Sequence, residues 1–356
     1  MANVSLNFSQ TYDEARGKFL SALASLGVAP ERHTHPSARG RDGETLSMDV
    51  AMIGDAQAAK LLILTSGTHG VEGYCGSGAQ IALLQDPAFI ARARDNGVTL
   101  VFIHAVNPYG FSHWSRTNED NIDLNRNFLD HAKPYPPPTA YAEVHQLLVP
   151  RGWPPDAANE ATIAEFIGKR GMAAFQQAVS GGQYVFADGL FYGGKAPSWS
   201  NRTVREVLQG FASTAREVYW IDFHTGLGPY GHGELIHAGR DDAAELARTK
   251  AVCGDKVTSV YDGSSSSARL EGLLAFSAYD ELPKARYTGI AIEYGTLSQP
   301  EVVLALRAEN WLRLHPEAAA ALRSAIRKQC RDAFYCDADD WKAMVVEQAR
   351  KCAEDV

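Results

Sequence analysis

Leu61-Leu62-Ile63-Leu64-Thr65-Ser66-Gly67-Thr68-His69-Gly70-Val71-Glu72-Gly73 is the stretch on which the fold turns. Its first five residues form a short apolar run that stops at Ser66-Gly67, the pattern of a strand buried on both faces. Residues 73–84, rich in small side chains and leucine, read as a helix, and 99–106 form a second apolar run. Strand, helix and strand in that order are the unit of a parallel sheet. Two further strands are expected at 217–223 and 288–294, and a long helical stretch, with Pro300 near its first turn, over about 300–331. The expectation is an α/β protein with a parallel sheet.

Composition narrows the class. The chain has 356 residues, 45% of them apolar and 21% charged, values that suit a soluble protein with a well-buried core rather than a disordered or collagen-like chain. The formal charge of −8 lacks the basic surplus of a nucleic-acid binder, so no nucleic-acid partner is expected. Five cysteines in no tight repeat fit a reducing compartment better than a disulfide scaffold. Residues 1–8 lack the basic start and apolar run of a secretion signal, and no window approaches a membrane span. The expectation is a cytoplasmic protein with no membrane partner.

The pattern is interrupted at residues 130–200. Pro134, Pro136, Pro137, Pro138, Pro150, Pro154 and Pro155 cannot occupy central strands or helix interiors. A helical patch at 159–179 and an aromatic, glycine-rich stretch at 181–199 follow. The segment reads as an insertion over one face of the sheet, either a plain excursion or a wall that shapes the substrate. Residues 1–356 are otherwise read as a single domain, with a C-terminal helical region at about 300–356.

Four polar segments each follow a predicted strand, where ligands of open α/β sheets bind. In the first, His69 and Glu72 lie three apart on a turn entering a helix. Such a pair can face one cation, although His-x-x-Glu also arises as ordinary surface capping. In the second, His224 ends the strand Trp220-Ile221-Asp222-Phe223. Taken with the first pair it completes a His₂Glu set, the composition of catalytic zinc sites that keep a position open for water. The third runs from Asn107-Pro108-Tyr109-Gly110 through Arg116 to Asp123-Leu124-Asn125-Arg126, a dense polar cluster whose arginines suit carboxylates and polarised carbonyls. The fourth carries Glu293 between Ile292 and Tyr294. Strand alternation turns it away from both neighbours, and burial there raises a carboxyl pKa towards that of a general base. A structural ion pair at the strand end is the alternative.

In this order, the four segments resemble the zinc carboxypeptidase superfamily with its aspartoacylase and succinylglutamate desuccinylase relatives, and most of all a poorly characterised branch of it. The resemblance spans about 61–296 discontinuously. It implies a mixed, largely parallel sheet with helices on both faces, the phosphorylase/hydrolase-like fold of zinc carboxypeptidases. It also implies one Zn²⁺ per chain on His69, Glu72 and His224, with Asp123 orienting His69. Arg116 would stabilise the oxyanion, Asn125 and Arg126 would hold the substrate's free carboxylate, and Glu293 would be the general base. The implied reaction is hydrolysis of an amide beside a free carboxylate in a peptide or small peptide-like substrate.

The alternative within enzymes is an N-acyl amino acid deacylase; outside them, a catalytically silent ligand-binding relative. Typical members carry a tyrosine upstream of the base, and Tyr261, Tyr279 and Tyr287 all qualify by position. Gly263-Ser264-Ser265-Ser266-Ser267 reads as a flexible loop. Proximity of His232 and His237 to His224 raises a second metal, against the commoner strand histidine. His33 and His35 are expected to be solvated.

Overall fold

The structure is a computed structural model that describes residues 4–137 and 140–354, so Pro138 and both extreme termini lie outside the described residues. Seven strands form one sheet: β1 (Glu31–Arg39), β2 (Thr45–Ile53), β3 (Lys60–Thr65), β4 (Val98–His104), β5 (Glu217–Tyr230), β6 (Gly233–His237) and β7 (Arg286–Gly295). Their spatial order is β1-β2-β4-β3-β5-β7-β6. The central pairs β4/β3, β3/β5 and β5/β7 are parallel, while β1/β2, β2/β4 and β6/β7 are antiparallel. The sheet is therefore mixed with a parallel centre.

The apolar runs obey strand alternation on a sheet covered on both sides. Leu62, Leu64, Leu100 and Phe102 join one core, shared with the helices Tyr12–Ser25, Gly73–Leu84 and Asp339–Glu354. Leu61, Ile63, Val101 and Ile103 join the opposite core, with Val204 and Leu208 of the Trp199–Gln209 helix. All twelve residues of the Gly73–Leu84 helix are buried. Its small residues permit this: a Cβ at Gly76 would lie 2.8 Å from Ser66 Cβ and 3.1 Å from Phe223 Cβ.

Several expectations shift. The stretch 300–331 is two helices, Gln299–Leu314 and Ala320–Phe334, broken at His315-Pro316 because proline lacks a donor and disfavours helix at the residue before it. The patch 159–179 likewise splits at Gly171, whose φ of 84° ends the Ala157–Arg170 helix before Met172–Ser180 begins. His35 is buried rather than solvated, 3.0 Å from Glu119 Oε1 and packed on Trp199.

Between β4 and β5 the described residues add no strand to the sheet. The helices Tyr141–Leu148, Ala157–Arg170 and Met172–Ser180 pack instead into a third apolar cluster. Phe175, Val179 and Phe191 meet Val302, Leu306 and Phe334 there.

Candidate metal centre

From β3 the chain passes to β4 on one side and later crosses to β5 on the other. The crevice beyond the carboxyl ends of β3 and β5 is thus the point where strand order reverses, and α/β sheets bind ligands at such a point. His69 stands four residues after β3, on extended backbone just before the tight turn Gly70–Glu72. His224 lies within β5, directly across from Glu293 on β7.

Three buried side chains converge here. His69 Nδ1 is 2.9 Å from Glu72 Oε1, His224 Nδ1 is 3.1 Å from Glu72 Oε2, and the two Nδ1 atoms are 3.2 Å apart. Among the described residues this is the one group of three or more His, Cys, Asp or Glu with metal-ligand spacing. The separations pass a simple fit test. Ligands at about 2.1 Å from a tetrahedral ion stand about 3.4 Å from one another, and the two Nδ1 atoms at 3.2 Å, with Glu72 facing one ring through Oε1 and the other through Oε2, approach that spacing. Two imidazole nitrogens aimed at each other also need a cation or proton between them. The donor set therefore fits a zinc-type ion.

The opposite edge of each ring is held by a carboxylate. His69 Nε2 is 3.1 Å from Asp123 Oδ1, and His224 Nε2 is 2.7 Å from Asp222 Oδ2. This arrangement fixes ring orientation and leaves both Nδ1 atoms facing inward. Asp222 also accepts hydrogen bonds from Thr65 Oγ1 at 2.7 Å and Thr68 Oγ1 at 2.9 Å. Reading the sequence assigned Asp222 no role. The signal was present, because residues two apart on a strand share a face and Asp222 precedes His224 by two.

Arg116 spans the site, donating from Nη1 to Glu72 Oε1 at 3.0 Å and from Nε to Asp123 Oδ2 at 3.1 Å, with Nη2 2.7 Å from His69 Nε2. Burial works against its charge, yet Asp123 and Glu72 outweigh burial and raise its pKa. Burial likewise opposes ionisation of Asp123, but Arg116 and Arg126 hold that carboxyl well below its usual range. Glu72 is also held low, since His69, His224 and Arg116 overcome its desolvation. His224 goes the other way: Asp222 and Glu72 more than reverse the effect of burial and raise its pKa well above the ordinary value.

Glu293 differs. Burial and the nearby Glu72 push its pKa up to about 7, against weaker pulls from His224, the Leu227 amide and Arg116. Its Oε1 accepts the Leu227 N–H at 3.0 Å, and it lines the same cavity of about 420 Å³ as His69, Arg116, Asn125, Arg126 and His224.

Asn125 and Arg126 reach the cavity but are partly engaged. Asn125 Oδ1 accepts from the Leu274 amide at 2.9 Å, leaving its NH₂ group for another partner. Arg126 donates to the carbonyls of Asn125 at 2.9 Å and Ser180 at 2.6 Å, while its buried Nε has no partner. Phe191 lies under both guanidinium groups, 5.0 Å from Arg116 and 5.5 Å from Arg126. Of the three tyrosines, Tyr261 lines the cavity; Tyr279 bonds to Glu245, and Tyr287 donates to the Ala238 carbonyl at 3.2 Å. His237 is 3.0 Å from Thr249 Oγ1 and 3.2 Å from the Arg240 carbonyl, the bonding of a satisfied strand histidine.

The sheet and this centre define an α/β protein of carboxypeptidase-like fold. Residues 8–348 match the family described as "Protein of unknown function (DUF2817)", and the chain belongs to that family. Among solved structures it is similar to thrombin-activatable fibrinolysis inhibitor, at 12% identity over 100% of this chain and 77% of that one, with a TM-score of 0.50. It is also similar to carboxypeptidase A from Helicoverpa armigera, at 12% identity over 91% and 74% of the two chains and a TM-score of 0.42. A candidate metallopeptidase from Shewanella baltica aligns at 12% identity over 86% and 92%, with a TM-score of 0.42. No curated protein matches the sequence.

Proposed function

We propose that this protein is a zinc-dependent amide hydrolase of carboxypeptidase type, acting beside a free carboxylate in a peptide or small peptide-like substrate. The observation that carries the reading is the convergence of His69, Glu72 and His224, with Glu293 at a pKa of about 7 in the same cavity. One zinc ion on those three residues would supply Lewis acidity and an acidified water.

The chain's own groups supply the rest. Glu293 is poised near neutrality, so it takes the proton of the attacking water and returns it to the leaving amine. Arg116 keeps its charge while buried, and a guanidinium there favours the oxyanion that develops on the carbonyl. Arg126 keeps N–H donors beyond its bonds to the Asn125 and Ser180 carbonyls, and with the Asn125 amide it holds the substrate's carboxylate. That contact, remote from the scissile bond, orients the amide for attack. Tyr261 is the one of the three tyrosines that lines the cavity, and its hydroxyl, which donates to the Gly239 carbonyl at 3.1 Å, meets the substrate by giving up that bond. The 130–200 segment acts as an insertion over this site rather than as a plain excursion.

Elemental analysis paired with turnover tests the reading. About one zinc per chain is expected. Release of an amino acid from peptides or N-acyl amino acids should be lost with a chelator and restored by zinc. Stoichiometric zinc with no turnover of either substrate class would refute the proposed activity.

A further inference from the structure

The cavity over the metal centre is walled by elements that do not belong to the sheet. The Ala157–Arg170 helix contributes Ile163 and Ile167, and the Met172–Ser180 helix contributes Phe175 and Val179. Val260 and Leu270 of the connection between β6 and β7 and Val303 of the Gln299–Leu314 helix also line the cavity, and Leu306 of that helix packs in one cluster with Ile163, Phe175 and Val179. The polar groups of the metal centre, His69, Arg116, Asn125, Arg126 and Glu293, lie on the floor, and Glu160, Gln176 and Arg307 add polar groups to the walls.

The Ala157–Arg170 and Met172–Ser180 helices are tied to opposite banks. On one bank Arg307, itself buried, donates to Glu160 Oε1 at 2.9 Å and Asn159 Oδ1 at 2.6 Å. This fastens the first helix to the element that follows Glu293's strand. On the other bank Gln176 Nε2 donates to the Ser266 carbonyl at 2.7 Å and Gln177 Nε2 to the Arg269 carbonyl at 3.1 Å. The serine-rich loop that reads as flexible in sequence is thus bonded to the roof. The bond from Arg126 to the Ser180 carbonyl joins the end of the second helix to the floor. The centre therefore sits beneath these bonded elements, in a largely apolar cavity of about 420 Å³ that stays partly open to solvent, a size that suits one small ligand.

We infer that the ligand is a small amide acid with a carboxylate at one end and an apolar body, an N-acyl amino acid or dipeptide, and that extended peptides are excluded by the roof. This rests on the reading of the cavity as the reaction site. Charge on the floor orients the carboxylate, and the apolar walls select the body. Gln176 and Gln177 are specificity-determining through the loop they hold, not through contact with the reacting atoms.

The test uses zinc-loaded full-length protein and follows binding by calorimetry separately from turnover. Ligands are N-acetylglycine, N-benzoyl- and N-octanoyl-phenylalanine, and peptides of two, four and eight residues ending in phenylalanine. Binding of the benzoyl, octanoyl or dipeptide ligand at least ten-fold tighter than N-acetylglycine and the octapeptide is expected. The Gln176→Ala/Gln177→Ala double variant should narrow the gap to the octapeptide at least five-fold. Ile167→Asp, at a half-buried wall position, should weaken the apolar ligands ten-fold and N-acetylglycine little.

Octapeptide binding equal to that of the small ligands in wild-type protein overturns the inference, as does failure of every apolar ligand to bind. Size-selective binding without turnover leaves the inference standing and removes the hydrolase reading. Turnover without size selection does the reverse. The wild-type series decides the matter even if a variant fails to fold.

Discussion

Replacing Asp222 with Asn keeps the shape of the side chain and removes its charge. The carboxylate accepts three hydrogen bonds, from His224 Nε2 at 2.7 Å, Thr65 Oγ1 at 2.7 Å and Thr68 Oγ1 at 2.9 Å. An amide can turn its oxygen to the imidazole and its NH₂ to hydroxyls able to accept, so the fold survives. The change converts an ionic hydrogen bond on His224 into a neutral one. A bond to a charged partner contributes about 1.5–3 kcal/mol and a neutral one about 0.5–1.5. The difference of about 1–1.5 kcal/mol weakens zinc binding about ten-fold. Carboxylate partners of metal-bound histidines affect affinity by about 10–100-fold, a range whose lower end agrees. The assay titrates metal-free protein against a chromophoric chelator, with Tm recorded with and without zinc. Asp222→Asn should bind about ten-fold more weakly and gain less in Tm from zinc than wild type does. An affinity within two-fold of wild type would refute the idea that Asp222 orients His224 toward a metal.

Three further outcomes follow from the same geometry. Glu293 must be ionised to accept a proton, and its pKa is pushed up to about 7, so kcat/KM should rise with pH and level off above that point. Glu293→Gln should lose about 10²–10⁴-fold in kcat while retaining zinc, and an acid limb that persists unchanged in its residual activity would assign the titration elsewhere. Arg116→Gln should lower kcat about 10²–10³-fold with little change in KM; a loss confined to KM would make Arg116 a binding group. A Cβ at Gly70 would run into the backbone of Gly110 and Phe111, so Gly70→Ala should cost about 1–3 kcal/mol in a denaturation curve. It should also weaken zinc binding, because His69 and Glu72 flank that residue.

Which parts were readable from the residues depends on what hides the pattern. The strands at 61–65 and 99–106 are legible because both their faces are buried, which leaves unbroken apolar runs. The antiparallel pair β1 and β2 is not. β1 is a polar edge strand carrying Pro36, mostly exposed. β2 buries Asp49, whose charge breaks the apolar run and is met by Arg16 at 2.6 Å, a partner 33 positions away. His69, Glu72 and His224 are readable as an imidazole–carboxylate set, whereas Asp222 signals its role only through the strand face it shares with His224. Tyr261 was not separable from Tyr279 and Tyr287 by position, because only their tertiary partners tell them apart.

The chamber's walls have an apolar cluster of their own, separate from the two that sandwich the sheet. The acid, base and imidazole groups are borne by strand ends and the turn after β3, and this apparatus touches the wall cluster through Val71 in that turn and Phe191 beneath the two arginines. Change at Ile163, Ile167, Phe175 or Val179 alters what fits while His69, Glu72, His224 and Glu293 keep their places on the sheet and its turn, and Val71 and Phe191 are the cluster members that tie the two together. Descendants of a common ancestor would then share one chemistry while diverging in diet, each tuned by exchange of a few aliphatic or aromatic side chains overhead.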